Sequence, residues 1–511
     1  MLEYESPLLG PDEPTIELLL STIESTYPKE TDTTMVILAY EYAKEAHDGQ
    51  VRITGEPYIT HPLATATKLA RIGIEIPVII AALLHDVPED TDRTLEDIKE
   101  QFGSDIADMV AGVTKLGKVQ FRGMDRYVEN IRKMFYGMAQ DIRTVFIKFA
   151  DRIHNMETLS VVPEHKRKRL AREVLEIYAP IASRIGMGEF KSLFEDLAFQ
   201  YIYPEEYQRT KELRERNLSA RQHSLDATQK KLEDELKASG ITTRSVHGRV
   251  KRLYSLYKKL EKYDNNIERI YDIIAIRIVV PKVEDCYAAL GVVHKLWRPL
   301  KGRIKDYIAQ PKPNGYQSLH TTVFGEEEAI MEMQIRTQEM HSLAEYGPAM
   351  HWQYKEKDFN QNRYTQWIEE LVTIQQELHS KEDFLEHLED LRLDAFNDRI
   401  FVFTPKGDVI DLPEGSTPID FAYAIHTEIG NKCTAARIND QQVNLDANLK
   451  SGDLCEITVD KNRKSPNSDW LKFVRTRQAR NKIRDASRRT MRGWIRITLN
   501  KHQRKDSKKR V

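Results

Sequence analysis

The spacing of apolar residues changes character along this chain, and that change limits the folds open to it. From residue 33 to about 195 apolar positions recur at helical intervals, as in Met35–Ala46, Leu63–Ile72 and Pro77–Leu84. Past residue 245 strand-like runs appear at Ile270–Val280 and Ala329–Arg336, divided by the loop Pro311-Lys-Pro-Asn-Gly315. Short strands and turns return at 396–459 around one helical stretch, Pro418–Ile429. No single uniform fold accommodates this pattern. The reading is multidomain: an all-α domain over 1–195, an exposed charged helical connector over 196–244 and an α/β domain over 245–355. An acidic helical connector follows over 356–395, then a small β-rich domain over 396–459 and a basic helical extension over 460–511.

A length of 511 residues suits three or four domains, and 40% hydrophobic content supplies cores and excludes wholesale disorder. The longest apolar run, Ile76 to Leu84, contains Pro77 and falls far short of the roughly 20 residues a membrane span needs. The acidic N-terminus does not read as a secretion signal. Cys286, Cys433 and Cys455 are widely separated and odd in number, which fits a reducing cytoplasm better than a disulfide framework. The formal net charge of -2 conceals an asymmetry, since residues 461–511 hold 19 Lys and Arg against 3 Asp. A basic end on an acidic body points to a polyanionic partner.

Three segments of the helical region carry metal-ligand chemistry: His61-Pro62, the run His85-Asp86-Val-Pro-Glu89-Asp90, and Asp151 within Lys148-Phe-Ala-Asp-Arg-Ile-His-Asn155. Two imidazoles and two carboxylates without a thiolate favour Mn²⁺ or a similarly hard divalent ion over structural zinc. Such an ion generates hydroxide and neutralises a phosphoryl oxygen. On a helix Glu89 and Asp90 share a side with Asp86, where they can orient or deprotonate the attacking water.

His61, His85-Asp86 and Asp151 resemble the HD superfamily of metal phosphohydrolases. The phrases Gly55-Glu-Pro-Tyr-Ile-Thr-His61, His85-Asp-Val-Pro-Glu-Asp90 and Ala150-Asp-Arg-Ile-His-Asn-Met156 are similar to one branch, the RelA/SpoT-homologue enzymes that make and destroy (p)ppGpp. The resemblance implies that this domain removes the 3′-diphosphate with Mn²⁺ held by His61, His85, Asp86 and Asp151. It implies further that Glu89 and Asp90 assist the water and that Arg52, Thr54, Asn155 and Thr158 line the nucleotide pocket. The chain departs from the family at Ile53 and at Glu157, where basic residues usually stand.

The second constellation begins at Gly248, after which Arg249–Lys259 reads as a helix. Leu253, Leu256, Tyr257 and Leu260 form its buried stripe, while Lys251, Ser255 and Lys259 share another face with Arg249 at the entrance, a grip for polyphosphate. In Ile330–Arg336 the alternation sets Met331, Met333 and Ile335 on one side and Glu332, Gln334 and Arg336 on the other. Asp272 opens an otherwise apolar strand, so Asp272 and Glu332 are placed to hold Mg²⁺ and steer a hydroxyl nucleophile. Arg277 has the opposite parity to Asp272. Tyr316, in the loop Asn314-Gly-Tyr-Gln-Ser-Leu-His320, can stack on a base.

These phrases, with Arg303-Ile-Lys-Asp306, resemble the synthetase domain of the same family, an α/β nucleotidyltransferase-like unit. The resemblance implies pyrophosphate transfer from ATP to the 3′-hydroxyl of GDP or GTP. Asp272 would bind Mg²⁺ and Glu332 would activate the hydroxyl. Arg249, Lys251, Ser255, Lys259 and Arg277 would hold ATP, and Lys305, Asn314, Tyr316 and His320 the guanine nucleotide. Residues 398–459 are similar to a TGS domain of β-grasp type, which implies contact with uncharged tRNA near His426 and, with the basic end, the ribosome. The Cys/His-bearing and ACT-type regions of longer members have no counterpart before Val511. The expected protein is thus a bifunctional enzyme, GTP pyrophosphokinase and guanosine-3′,5′-bis(diphosphate) 3′-diphosphatase. The alternatives are a hydrolase whose synthetase unit only senses nucleotides, or a tRNA- and ribosome-binding factor.

Overall fold

The computed structural model describes residues 13–117, 140–312, 315–326, 329–350, 399–450, 452–463, 465–476 and 478–486, with Ser6, Leu8, Leu9 and Gly137 besides. Asn314, the connector at 356–395 and residues 487–511 lie outside them. The chain forms two compact units, Met1–Phe384 and Leu385–Val511.

The first unit opens with a helical layer. Helix Ile76–Leu84 is apolar on every side and buried from Val78 to Leu84, as a central helix must be. Helices Thr60–Arg71 and Arg143–Glu157 pack against it and bury most of their own length. Phe149, Phe190 and Phe194 fill the space between Arg143–Glu157 and helix Gly188–Ile202, with ring centroids 5.3–6.5 Å apart.

A five-stranded sheet follows: β1 Ser245–Val250, β2 Ile274–Val280, β3 Lys305–Asp306, β4 Leu319–Phe324 and β5 Ile330–Thr337. Its order is β1-β2-β5-β4-β3, antiparallel except for the parallel pair β2–β5. Met331, Met333 and Ile335 enter a core with Ile274, Ile276 and Ile278, and with Cys286, Ala289 and Val293 of helix Val283–Leu296. The alternation in β5 therefore leaves Glu332, Gln334 and Arg336 on the opposite face.

Four sequence expectations need correction here. The segment from Gly248 does not begin a helix. Residues 245–250 pair with β2, and the helix runs only from Leu253 to Lys262, so Arg249 lies on a strand and Lys251 precedes the helix. Tyr257 is half-buried rather than part of the core stripe. Asp272 sits in the turn before β2 rather than on it. The charged stretch read as an exposed connector is one helix, Pro204–Ala238, whose Leu225, Leu232 and Leu236 belong to the core under the sheet.

The second unit contains the hairpin β6 Arg399–Phe403 with β7 Val409–Pro413. Its other sheet, ordered β10-β8-β9, comprises β8 Cys433–Ile438, β9 Gln441–Val443 and β10 Cys455–Val459. The expected single helix at Pro418–Ile429 is two, Pro418–Ile425 and Thr427–Lys432, broken where His426 takes an extended backbone. Trp470, Val474, Ala479 and Ile483 pack into one core with Ile419, Ala422, Tyr423 and Cys433. The first part of the basic extension is therefore core rather than solvated tail. Among the described residues no helix is long and apolar enough to cross a membrane.

Candidate active sites

His61 lies in the first turn of Thr60–Arg71, His85 and Asp86 follow Ile76–Leu84, and Asp151 is central in Arg143–Glu157. His61 Nε2 is 3.5 Å from Asp86 Oδ2 and 3.3 Å from Asp151 Oδ1, and His85 Nε2 is 3.2 Å from Asp86 Oδ1. Ligand atoms of His61, His85 and Asp86 lie within 4.8 Å of one another. His85 Nδ1 is 2.7 Å from the Ala82 carbonyl, which places a ring proton there and leaves Nε2 as the atom that would ligate a cation beside the carboxylates. That Nε2 is buried with no hydrogen-bond partner among the described residues. An orphaned lone pair among carboxylates fits a divalent cation.

Burial pushes the Asp151 carboxyl up, but Lys148, with Nζ 2.7 Å away, and His61 outweigh it and hold Asp151 well below the usual range. Burial acts likewise on Asp86, where His85 and His61 win and lower it. Tyr58 Oη lies 3.0 Å from Asp86 Oδ2 and 2.7 Å from Asp90 Oδ2, so it bridges the cluster to the short helix Val87–Asp90 that also carries Glu89. Arg52 Nη2 donates to Asn155 Oδ1 at 3.3 Å and to Thr158 Oγ1 at 3.4 Å, gathering three of the expected nucleotide-lining residues. Thr54 Oγ1 is buried without a partner among the described residues. Ile53 is 79% exposed, and the Glu157 carboxylate is taken by the buried Lys68 at 2.9 Å.

Sequence reasoning passed over Tyr58, Lys148 and His154. Each stands three residues from an expected ligand (His61 for Tyr58, Asp151 for the other two), and for the two on the Asp151 helix that spacing was a readable signal.

On the polar face of the sheet, Asp272 Oδ2 receives Lys251 Nζ at 2.6 Å and also Lys259 Nζ. Burial raises the Asp272 carboxyl, yet the two ammonium groups outweigh it and hold it well below its ordinary range. Burial brings Lys251 down to about 8. Glu332 accepts from Gln334 Nε2 at 3.0 Å and pairs with His320 Nδ1 at 2.9 Å, and His320 Nε2 lies 2.8 Å from Tyr316 Oη. Arg249 Nη1 donates to Gln334 Oε1 at 3.1 Å. Lys305 is opposite His320 in the β3–β4 register, and Ser255 is on helix Leu253–Lys262. Tyr307, also passed over, packs its ring edge-on to His320 and Tyr316.

Arg277 is not part of the Asp272 cluster. Its Nη1 pairs with Glu345 Oε1 at 3.0 Å, and Arg336 Nη2 reaches the same oxygen at 2.7 Å. Because Asp272 precedes β2, strand parity does not relate the two residues; the Glu345 pairing is what holds Arg277 apart. In the second unit His426 Nδ1 accepts the Glu428 amide at 3.2 Å.

Family models match three stretches: an HD domain over residues 39–188, the region found in RelA / SpoT proteins over 248–359, and a TGS domain over 400–459. The guanosine-3′,5′-bis(diphosphate) 3′-pyrophosphohydrolase of Aquifex aeolicus is 45% identical over 92% of this chain and 67% of its own length. The bifunctional (p)ppGpp synthase/hydrolase SpoT of Escherichia coli K12 is 43% identical over 91% of this chain and 66% of its own. The GTP pyrophosphokinase of Myxococcus xanthus is 43% identical over 90% and 61%. The chain spans about three fifths to two thirds of the length of these relatives. With an HD domain, an α/β synthetase-type domain and a TGS domain in that order, the chain belongs to the RelA/SpoT family.

Proposed function

We propose that this chain is a bifunctional alarmone enzyme of the cytoplasm. It transfers pyrophosphate from ATP to the 3′-hydroxyl of GDP or GTP, and it hydrolyses the 3′-diphosphate of (p)ppGpp. The observation that carries the reading is that two separate acidic clusters, His61/His85/Asp86/Asp151 and Asp272/Glu332, each lie beside cationic groups suited to polyphosphate.

In the hydrolase, His61, His85, Asp86 and Asp151 would hold a divalent ion, Mn²⁺ in our reading, which supplies positive charge at the phosphoryl oxygens and acidifies water. Asp90, fixed by Tyr58, and Glu89 receive the water proton. Arg52, Thr54, Asn155 and Thr158 bind the nucleotide, and engagement of Arg52 by phosphate exchanges its hydrogen bonds to Asn155 and Thr158 for stronger charge-assisted ones. In the synthetase, Asp272 would hold Mg²⁺, freeing Lys251 and Lys259 for phosphate oxygens of ATP beside Arg249, Ser255 and Arg277. Glu332 takes the 3′-hydroxyl proton, with His320 holding its carboxylate in place. Lys305, Tyr316 and His320 would hold the guanine nucleotide, with Asn314, which lies outside the described residues, read from the sequence as a fourth contact. His426 and the basic end are read as contacts to uncharged tRNA and the ribosome.

One preparation assayed twice tests the reading. ATP with GDP or GTP and Mg²⁺ should yield (p)ppGpp, and labelled ppGpp with Mn²⁺ should release pyrophosphate. Absence of either product removes that half of the proposal.

A further inference from the structure

Helix Leu253–Lys262 carries Ser255 and Lys259, and Arg249 and Lys251 stand just before it. Its N-cap position is Arg252, which has no acceptor to offer the free amides of the first turn. The acceptor comes from elsewhere. Asp196, on helix Gly188–Ile202 at the end of the hydrolase layer, takes the Tyr254 amide on Oδ1 at 2.9 Å; burial raises its carboxyl, and the Tyr254 amide, Arg252 and the Leu253 amide oppose that without outweighing it. Two turns earlier on the same helix the buried Glu189 receives Arg252 Nη2 at 2.6 Å. The approach is close along this seam. A Cβ on Gly188 would meet the Ala344 carbonyl at 2.5 Å, and Gly347, at φ +58°, sits where a Cβ would meet the Ile185 carbonyl at 2.7 Å. Phe199 closes the other side, with its ring 4.9 Å from that of Tyr257.

We propose that Asp196 is a positioning residue for the ATP subsite, a cap lent by the hydrolase-side helix to the synthetase helix. The inference rests on the synthetase reading above. The cap fixes the first turn of the helix, so it sets where Ser255 and Lys259 project and where the Arg249–Lys251 segment ends. Negative charge at a helix N-terminus also opposes the helix dipole, which would otherwise add to the positive charge of Lys251 and Lys259. Because Asp196 and Glu189 share one helix, its first and third turns hold Arg252 and the Tyr254 amide together.

The test uses the full chain with Asp196→Ala and Asp196→Asn, the latter keeping an acceptor oxygen. Asp196→Ala should raise KM for ATP about three- to thirty-fold, the range one lost cap converts to, and leave KM for GDP within about twofold. Asp196→Asn should restore most of the loss. Hydrogen exchange at the Leu253 and Tyr254 amides should speed up in the Ala variant alone. Unchanged exchange and unchanged KM for ATP would overturn the proposal, as would equal rises in both KM values, which a merely structural role gives. A wild-type chain that makes no alarmone would instead sink the synthetase reading, while the exchange measurement would still decide whether Asp196 caps the helix.

Discussion

The Nδ1 atoms of His61 and His154 lie 2.7 Å apart, with their rings stacked at a 21° interplanar angle. Two lone pairs cannot face each other at that distance, so one nitrogen carries a proton. Burial chiefly, with His61 and Arg52 adding to it, pushes His154 down to about 2, so it is neutral. Arg52 Nη1 donates to the same His154 Nδ1 at 3.0 Å, which makes that nitrogen an acceptor. The proton between the rings therefore belongs to His61 Nδ1, which leaves His61 Nε2 as the atom that would turn a lone pair to a cation shared with Asp86 and Asp151.

From this follows a prediction about metal affinity. His154→Phe removes the acceptor, frees the His61 ring to adopt the other tautomer, and should weaken Mn²⁺ binding about 10- to 100-fold. His154→Asn, which retains an acceptor near the δ position, should fall between that variant and wild type. Calorimetric titration of the metal-stripped protein with Mn²⁺ measures both.

The two active clusters should be separable by single substitutions. Asp86→Ala removes a carboxylate lying within 3.5 Å of both imidazoles and should lower ppGpp hydrolysis by about three orders of magnitude. It should leave synthesis within a few-fold. Asp272→Ala should do the reverse, since Lys251 and Lys259 lose their shared counter-ion and any metal its carboxylate. Loss of both activities in either variant would contradict the division.

Periodicity made the layers legible. The alternation of Met331, Met333 and Ile335 against Glu332, Gln334 and Arg336 is what β5 displays, because one face of that strand packs on a core. The His85-Asp86 and Asp151 phrases were legible because ligand chemistry restricts residue type. What sequence could not show depends on partners distant in the chain. Residues 245–250 are a strand because β2 pairs with them, and the helix after them starts late because Asp196 caps it there. Leu225, Leu232 and Leu236 sit in a helix so charged that only the sheet beside it reveals their burial. His154 was open to reading from its i, i+3 spacing to Asp151, but its contact with His61 spans 93 residues, and Tyr58 reaches Asp86 across 28, which no local pattern shows.

The Tyr316 phenol should titrate abnormally. Burial, the largest influence, raises it, but His320, Arg336 and Arg249 outweigh burial and bring it from 10.0 down to about 7. The stability this group contributes is fully present above its unfolded value near 10 and is lost as pH falls through about 7. Ultraviolet difference titration should therefore show one of the 22 tyrosines ionising near neutrality, and Tyr316→Phe should abolish that step. The melting temperature of wild type relative to the variant should rise with pH between about 7 and 10.

In the second unit Asp420 is fully buried and accepts five hydrogen bonds. Oδ2 takes the Thr417 amide and hydroxyl at 2.9 and 2.8 Å, closing the start of helix Pro418–Ile425. Oδ1 takes the Arg475 amide and the Thr476 amide and hydroxyl at 2.6–2.9 Å, tying the segment beyond the β-strands to that helix. Replacing such a carboxylate leaves several buried donors unpaired, each worth about 1–3 kcal/mol. Asp420→Ala should destabilise this unit by about 3 kcal/mol or more, which denaturant unfolding followed by Trp470 fluorescence would register. Ending the chain after Val459 should be harsher still, because it removes Trp470, Val474, Ala479 and Ile483 from the core. Limited proteolysis should then cut rapidly between β6 and β10, while a chain ended after residue 486 should resist. Equal resistance of the two shortened chains would show that the segment past Val459 is dispensable to the fold.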